Sequence, residues 1–189
     1  MLIVFDGIDR AGKTTHLKMV ANWLKNEGIS FLMKREPGGT PLAEKIRSIF
    51  LNNKMDPFVQ LLLLSACRFE LTSELVSRRG ELILCDRFVD STYAYQGGDL
   101  DAGLIDTIVK LTAKIEPDFV FLFLHSYGKS LNYMDQVAAS HRQEIIGRFY
   151  ERAKKNPQKY FVIPDGRVRD QSRIIKEKLA EILKNAGFL

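Results

Sequence analysis

A chain of 189 residues, 46% hydrophobic and 27% charged, has the balance of a globular domain, which sets aside disordered and fibrous classes and is long enough to bury a core without disulfides or a structural metal. Twenty-eight Lys and Arg against 23 Asp and Glu give a net charge of +5, which suits an anionic partner without choosing among nucleotides, nucleic acid and acidic lipid. No apolar stretch approaches the ~18 residues of a membrane span and no signal-like start is seen, so a cytoplasmic protein without a membrane partner is expected.

Short apolar runs alternate with longer segments of helical spacing, the pattern of a parallel sheet with crossover helices. A strand at Leu2 to Phe5 precedes a helix at Lys13 to Asn26, and a strand at Ser30 to Lys34 precedes helices at Pro41 to Asn52 and Pro57 to Arg79. A strand at Leu82 to Cys85 precedes a helix at Asp101 to Ile115; Phe119 to Leu124 precedes Ser140 to Asn156, and Tyr160 to Ile163 precedes Gln171 to Asn185. Leu2-Ile-Val-Phe and Phe119-Val-Phe-Leu-Phe-Leu are apolar without alternation, as strands covered on both faces are. The expected fold is α/β: a doubly wound five-stranded parallel sheet with helices on both faces, in one domain over residues 1–189. The polar stretch His125 to Ala139 lacks apolar periodicity and is expected to be a lid, at about 125–142. Cys67 and Cys85 lie in apolar runs without metal-ligand or C-x-x-C spacing and are expected to be buried free thiols. The basic cluster Arg152, Lys154 and Lys155 reads as a solvated helix face, not a nucleic-acid surface.

Directly after the first strand stands Gly7-Ile-Asp-Arg-Ala-Gly12-Lys13-Thr14, a full G-x-x-x-x-G-K-T match opening a helix. Glycines let such a loop curl so that backbone N–H groups point at phosphate oxygens, at the positive end of the following helix. Lys13 supplies a point charge for the β- and γ-phosphates and the Thr14 hydroxyl can ligate Mg²⁺. Gly7, Ile8, Asp9, Arg10, Ala11, Gly12, Lys13, Thr14 and Thr15 are therefore the expected ATP-binding residues. The motif specifies a nucleoside triphosphate, but motors, GTPases and small-molecule kinases share it.

Three further blocks follow: Arg35-Glu-Pro-Gly-Gly-Thr40, Asp86-Arg87-Phe88 and Ser91-Thr-Tyr-Ala-Tyr-Gln-Gly-Gly98. With the cradle, and in this order across residues 3–98, they resemble the thymidylate kinase family, a P-loop kinase family. The resemblance implies transfer of the ATP γ-phosphoryl group to dTMP, giving dTDP and ADP for dTTP synthesis, with Mg²⁺ as cofactor, ATP and dTMP as partners, and a homodimer as assembly. Such a site needs no strong base, since a phosphomonoester with a second pKa near ~6 is already ionised at neutral pH; it needs cations against the repulsion of two anions. Carried over by position, Thr14 and Asp86 resemble the metal- and phosphate-coordinating pair, and Arg87 and Arg47 the groups that bind the acceptor phosphate. Glu36 resembles the acid beside metal and acceptor, and Asp9 the reader of the sugar 3′-hydroxyl. Arg68, Thr92 and Gln96 resemble the residues that bond the edge of thymine, whereas Arg35 is expected only to pair with an acid.

Three positions depart from the family pattern. Leu64 stands where a phenylalanine usually stacks on thymine, which forfeits roughly 0.5–1.5 kcal/mol of aromatic geometry; nearby Phe69 is expected in the core. Arg10 lies in the cradle while the lid has no arginine, so Arg10 is expected to supply transition-state charge in cis, with Arg142 as its rival. His125 replaces a common aspartate, and it, His16 and His141 are expected to be structural or exposed. Lys13, Arg10, Asp86 and Arg87 are thus the expected catalytic set. Two other readings stay open: a related nucleoside monophosphate kinase with another or broader base preference, and a nucleotide-binding module without turnover.

Overall fold

The computed structural model describes residues 1–125 and 141–189. Strands β1 (Leu2–Gly7), β2 (Leu32–Arg35), β3 (Ile83–Asp86), β4 (Phe119–Phe123) and β5 (Tyr160–Val162) form a parallel sheet in the order β2-β3-β1-β4-β5. Among the described residues the helices are α1 (Lys13–Asn26), α2 (Pro41–Asn52), α3 (Pro57–Val76), α4 (Val89–Gln96), α5 (Ala102–Thr112), α6 (Arg142–Lys155) and α7 (Val168–Asn185).

β1 is central, hydrogen-bonded to β3 on one side and β4 on the other, and all six of its residues are buried. Successive side chains alternate between two cores, as a pleated strand requires. Ile3 and Phe5 pack with Leu17, Val20 and Leu24 of α1, Phe149 of α6 and Leu179 of α7. Leu2 and Val4 pack with Leu61, Leu71 and Leu75 of α3 and Ile105 and Val109 of α5. The unbroken apolar run at the start of the chain is thus the signature of a strand covered twice. From β1 the chain crosses over to β2 on one side, whereas from β3 it crosses to β4 on the other. The strand order reverses between β1 and β3, and a crevice at such a switch point, outside the carboxyl ends of the strands, is where open α/β sheets bind ligands.

Local chemistry sets the helix starts. Thr40 and Asp56 cap α2 and α3 by accepting the N–H groups of Ala43 and Phe58, with Pro41 and Pro57 in the first turn, and Asp101 caps α5 through Leu104 N–H. Expected boundaries shift by a few residues: α3 ends at Val76, not Arg79, and α7 starts at Val168, not Gln171. α4 is an addition, since its stretch carries no apolar stripe and reads as a loop. The expected lid lies outside the described residues apart from its ends, His125, His141 and Arg142.

Cys67 and Cys85 are free and fully buried; burial pushes the Cys67 thiol up to about 11 and the Cys85 thiol well above its ordinary value. Arg152 departs from the solvated face expected of it. It turns inward, bonding the buried Asp90 at 2.9 Å and lying 3.9 Å over the Tyr93 ring, while Lys154 and Lys155 remain exposed. Among the described residues no helix is long and apolar enough to cross a membrane.

Candidate active site

The cradle leaves the end of β1 through a backbone that only glycine permits. Gly7 has φ +130, and a Cβ there would meet the Phe123 carbonyl oxygen of β4 at 2.0 Å. Gly12, at φ +85, turns the loop into α1, whose first turn has no side-chain cap, so its N–H groups face outward as an anion site does. Lys13 is buried and its Nζ donates to the Ile8 carbonyl at 2.5 Å. Burial, then the nearby Arg87 charge, pushes its pKa down to about 7. Arg10 sits in the same loop at φ +60, a left-handed conformation uncommon for residues other than glycine.

Asp86 ends β3 beside the cradle, and the Thr14 hydroxyl donates to its Oδ2 at 2.6 Å. Arg87, the next residue, is also left-handed, at φ +66. Its Nη1 donates to the Gly7 carbonyl at 2.7 Å and to Ser91 Oγ at 2.8 Å, and its Nη2 donates to Asp9 Oδ1. Asp9 Oδ2 accepts from the Tyr95 hydroxyl at 3.0 Å. Burial works against the Arg87 charge, but the surrounding Tyr95, Asp9, Asp6 and Asp86 outweigh it and hold the guanidinium above its ordinary pKa. Of five guanidinium N–H donors, three are engaged by these bonds.

A second, buried cluster joins α3, α4 and the Glu36 loop. Arg68 is fully buried; its Nη2 donates to Glu36 Oε1 and to Thr92 Oγ1. Burial raises the Glu36 carboxyl, and the charge of Arg68 pulls it back only in part. Gln96 Nε2 reaches Gln60 at 3.4 Å. Among the described residues, Arg68 Nε and Nη1, Glu36 Oε2, Gln96 Oε1 and Ser65 Oγ are buried without a hydrogen-bond partner. Each such group costs about 1–3 kcal/mol, so donors and acceptors left over on Arg68 and its partner Glu36 suit a polar ligand. Leu64, 7% exposed, lies on the same face of α3. Phe69 departs from the core position expected of it: it is 46% exposed, with Lys114 Nζ 3.9 Å above its ring.

The remaining expected residues fall around these two centres. Arg47 is half-buried and donates to the Pro37 carbonyl at 2.8 Å, within the loop whose Glu36–Pro37 bond is cis. Arg35 pairs with Glu44, at 2.9 Å from Nε. Thr15 is exposed in the first turn of α1. On the far side of the cradle a cleft of about 380 Å³ is lined by Ile8, Leu124, His125, Arg142, Tyr150 and Asp165 among others. His16 is buried against Phe123 and bonded to Gln171 at 3.1 Å, whereas His125 and His141 are exposed. Sequence reasoning missed Ser65, Gln60, Ser91, Tyr95 and Asp6. A carboxylate inside an otherwise apolar strand was the signal for Asp6, and the three-residue spacing from Arg68 was the signal for Ser65.

A family model described as thymidylate kinase matches residues 5–166. The chain belongs to the thymidylate kinase family. It is 35% identical over 197 aligned positions to a thymidylate kinase of Wolbachia pipientis subsp. Culex pipiens, covering 97% of this chain and 96% of that protein. A thymidylate kinase of Chlorobium luteolum is 47% identical over 129 residues, which are 64% of this chain and 60% of that protein. The crystal structure of thymidylate kinase from Ehrlichia chaffeensis superposes with a TM-score of 0.78 at 31% identity, covering 95% of this chain and 98% of that one. The four sequence blocks of the thymidylate kinase resemblance have a common place in space. The cradle, Asp86-Arg87, α4 and the Glu36 loop meet at the carboxyl ends of β1, β3 and β2, joined by the bonds of Arg87 to Gly7 and of Glu36 N–H to the Asp86 carbonyl.

Proposed function

We propose that this chain transfers the γ-phosphoryl group of ATP to dTMP, giving ADP and dTDP for dTTP synthesis, within one P-loop kinase domain over residues 1–189. The observation that carries the reading is the buried cluster of Arg68, Thr92 and Gln96, in which Arg68 Nε and Nη1 and Gln96 Oε1 lack hydrogen-bond partners; two donors and an acceptor suit the edge of a pyrimidine with two carbonyls and one N–H. A module that only binds a triphosphate has no need of it.

In this reading the cradle, Gly7 to Thr15, holds the ATP phosphates, and the cleft beside Ile8 takes the adenine end. Arg87 and Arg47 hold the acceptor phosphate, Asp9 the sugar hydroxyl, and Glu36, the acid expected beside metal and acceptor phosphate, also fixes Arg68 for the base. An ionised phosphate oxygen of dTMP attacks the γ-phosphorus, the bond to the β-bridging oxygen breaks, and ADP leaves with its electron pair. No residue has to remove a proton. Lys13, Arg10 and Arg87 offset the charge of two anions brought together, with Arg10 acting in cis on the transferring group. The Thr14 hydroxyl and Asp86 carboxylate, 2.6 Å apart, are hard oxygen donors at the mouth of the cradle and fit Mg²⁺, which takes one or two protein oxygens and otherwise phosphates and water. Held by these two residues, it would supply positive charge that neutralises the ATP phosphates. A homodimer and a cytoplasmic location complete the reading.

Leu64 favours a second reading, a kinase with a broader base preference, because an aliphatic side chain covers a ring without the orientation an aromatic one imposes. A coupled ADP assay with dTMP, dUMP, dGMP and AMP, with and without Mg²⁺, separates the readings. The expected result is Mg²⁺-dependent turnover greatest for dTMP. A purine monophosphate outrunning dTMP transfers the case to the broader kinase, and ATP binding without monophosphate-dependent ADP release overturns the enzyme.

A further inference from the structure

Asp6 has no place in the reaction described above, yet it is the most heavily bonded carboxylate beside it. It lies inside β1 with no exposure, where apolar residues surround it on the strand. Its Oδ1 accepts from Gly7 N–H at 2.8 Å and from the Ser91 hydroxyl at 2.6 Å. Its Oδ2 accepts from Phe88 N–H at 3.0 Å and Ser91 N–H at 3.2 Å. Arg87 Nη1 stands 3.6 Å from Oδ1. Burying a carboxylate is expensive without such compensation, so a site that supplies four donors and a cation is a built one.

The contacts have a direction. Phe88 and Ser91 are the N-cap and third residue of α4, and Phe88 brings no capping side chain. Asp6 supplies from β1 what an N-cap aspartate ordinarily supplies from within its own helix. The Ser91 hydroxyl gives its proton to Asp6, so its oxygen is left to accept from Arg87 Nη1 at 2.8 Å. A relay thus runs from Asp6 through Ser91 to the guanidinium, which sits on a residue in the left-handed region that side chains other than glycine occupy only when their surroundings hold them there.

We infer that Asp6 is a positioning residue of the acceptor site, fixing Arg87 through Ser91 for the phosphate of the nucleoside monophosphate. The inference rests on the assignment of Arg87 to that phosphate. Asp6→Asn tests it sharply, because each oxygen already accepts two donors; whichever way the amide turns, its NH₂ faces two N–H or O–H groups. The measurement is KM for dTMP and for ATP in four proteins: wild type, Asp6→Asn, Arg87→Ala and the double variant. The expected result is a rise of about tenfold in the dTMP KM of Asp6→Asn, equivalent to about 1.4 kcal/mol, with the ATP KM changed less than about twofold. In the Arg87→Ala background the same substitution should add less than about twofold, since a residue acting through Arg87 has nothing left to act on. An equal rise in both KM values, or the same factor in both backgrounds, overturns the inference.

Should Asp6→Asn fail to fold, Ser91→Ala decides the matter, since it keeps the carboxylate and its three backbone bonds and removes only the hydroxyl. A severalfold rise in dTMP KM that Arg87→Ala erases supports the relay, and no rise overturns it. Wild-type turnover separates this from the functional reading. Its absence with dTMP overturns the acceptor assignment and the inference together; its presence with an indifferent Asp6→Asn overturns the inference alone.

Discussion

Arg10 and Arg87 are the two residues other than glycine with positive φ among the described residues, and both lie at the junction of the two proposed nucleotide sites. For Arg10 this makes glycine an informative substitution. Glycine adopts φ +60 without strain, so Arg10→Gly removes the guanidinium while leaving the loop at ease. Turnover should fall by more than about tenfold, or 1.4 kcal/mol, as read by steady-state kinetics. Arg142→Ala, at the edge of the adjoining cleft, should cost less than that. Glu44 offers a test in pH. Its bonds from Arg35 push its pKa down to about 2, below its ordinary 4.5, so its contribution is fully present above pH 4.5 and is lost as pH falls towards 2. The pair is partly exposed, with side-chain exposures of 52% and 37%, which holds the effect below about 1 kcal/mol. Glu44→Gln should therefore lower stability slightly at pH 7 and flatten the acid limb of the urea midpoint between pH 4.5 and 2.

At the scale of elements, β1 and α4 depend on one another across the sheet. Gly7→Ala would drive a methyl group into the β4 backbone at 2.0 Å, at a φ of +130, and should destabilise by about 3 kcal/mol or more, seen as a lower urea midpoint. The order of strands and helices was legible because short, wholly apolar runs and longer periodic ones are local features of the chain. The cradle was legible for the same reason, its chemistry being contiguous. Asp6 breaks the apolar run of β1 after Phe5, although the strand continues to Gly7. α4 has no local signature, because Val89 to Gln96 lacks an apolar stripe and its cap comes from 82 residues earlier. The family resemblance named Glu36, Arg68 and Thr92, but not that the first two form a buried pair, since they stand 32 residues apart and neither segment shows that it faces the other.

At the scale of the molecule, α2 and α3 present apolar side chains outward. Leu42 and Ile49 on one and Phe58, Val59 and Leu62 on the other are 40–52% exposed, and positions 58 and 62 fall one turn apart on a single face. α3 is thus divided, with Leu61 and Leu64 buried and Phe58 and Leu62 outside. If this face joins two copies, light scattering should return twice the 21.6 kDa chain mass, and Leu62→Glu should return a single copy with the fold intact. The two cysteines carry a different consequence. They are the only thiols in the sequence, one on β3 in the sheet and one on α3 against the Ala43 carbonyl of α2. Alkylation of the native protein can then proceed only through opening, and mapping which sulfur is labelled first, by peptide mass, would show whether the outer helical layer loosens before the sheet does. Saturating nucleotide should slow whichever site opens with the acceptor pocket, so the chain already contains a two-point stopwatch for its own breathing.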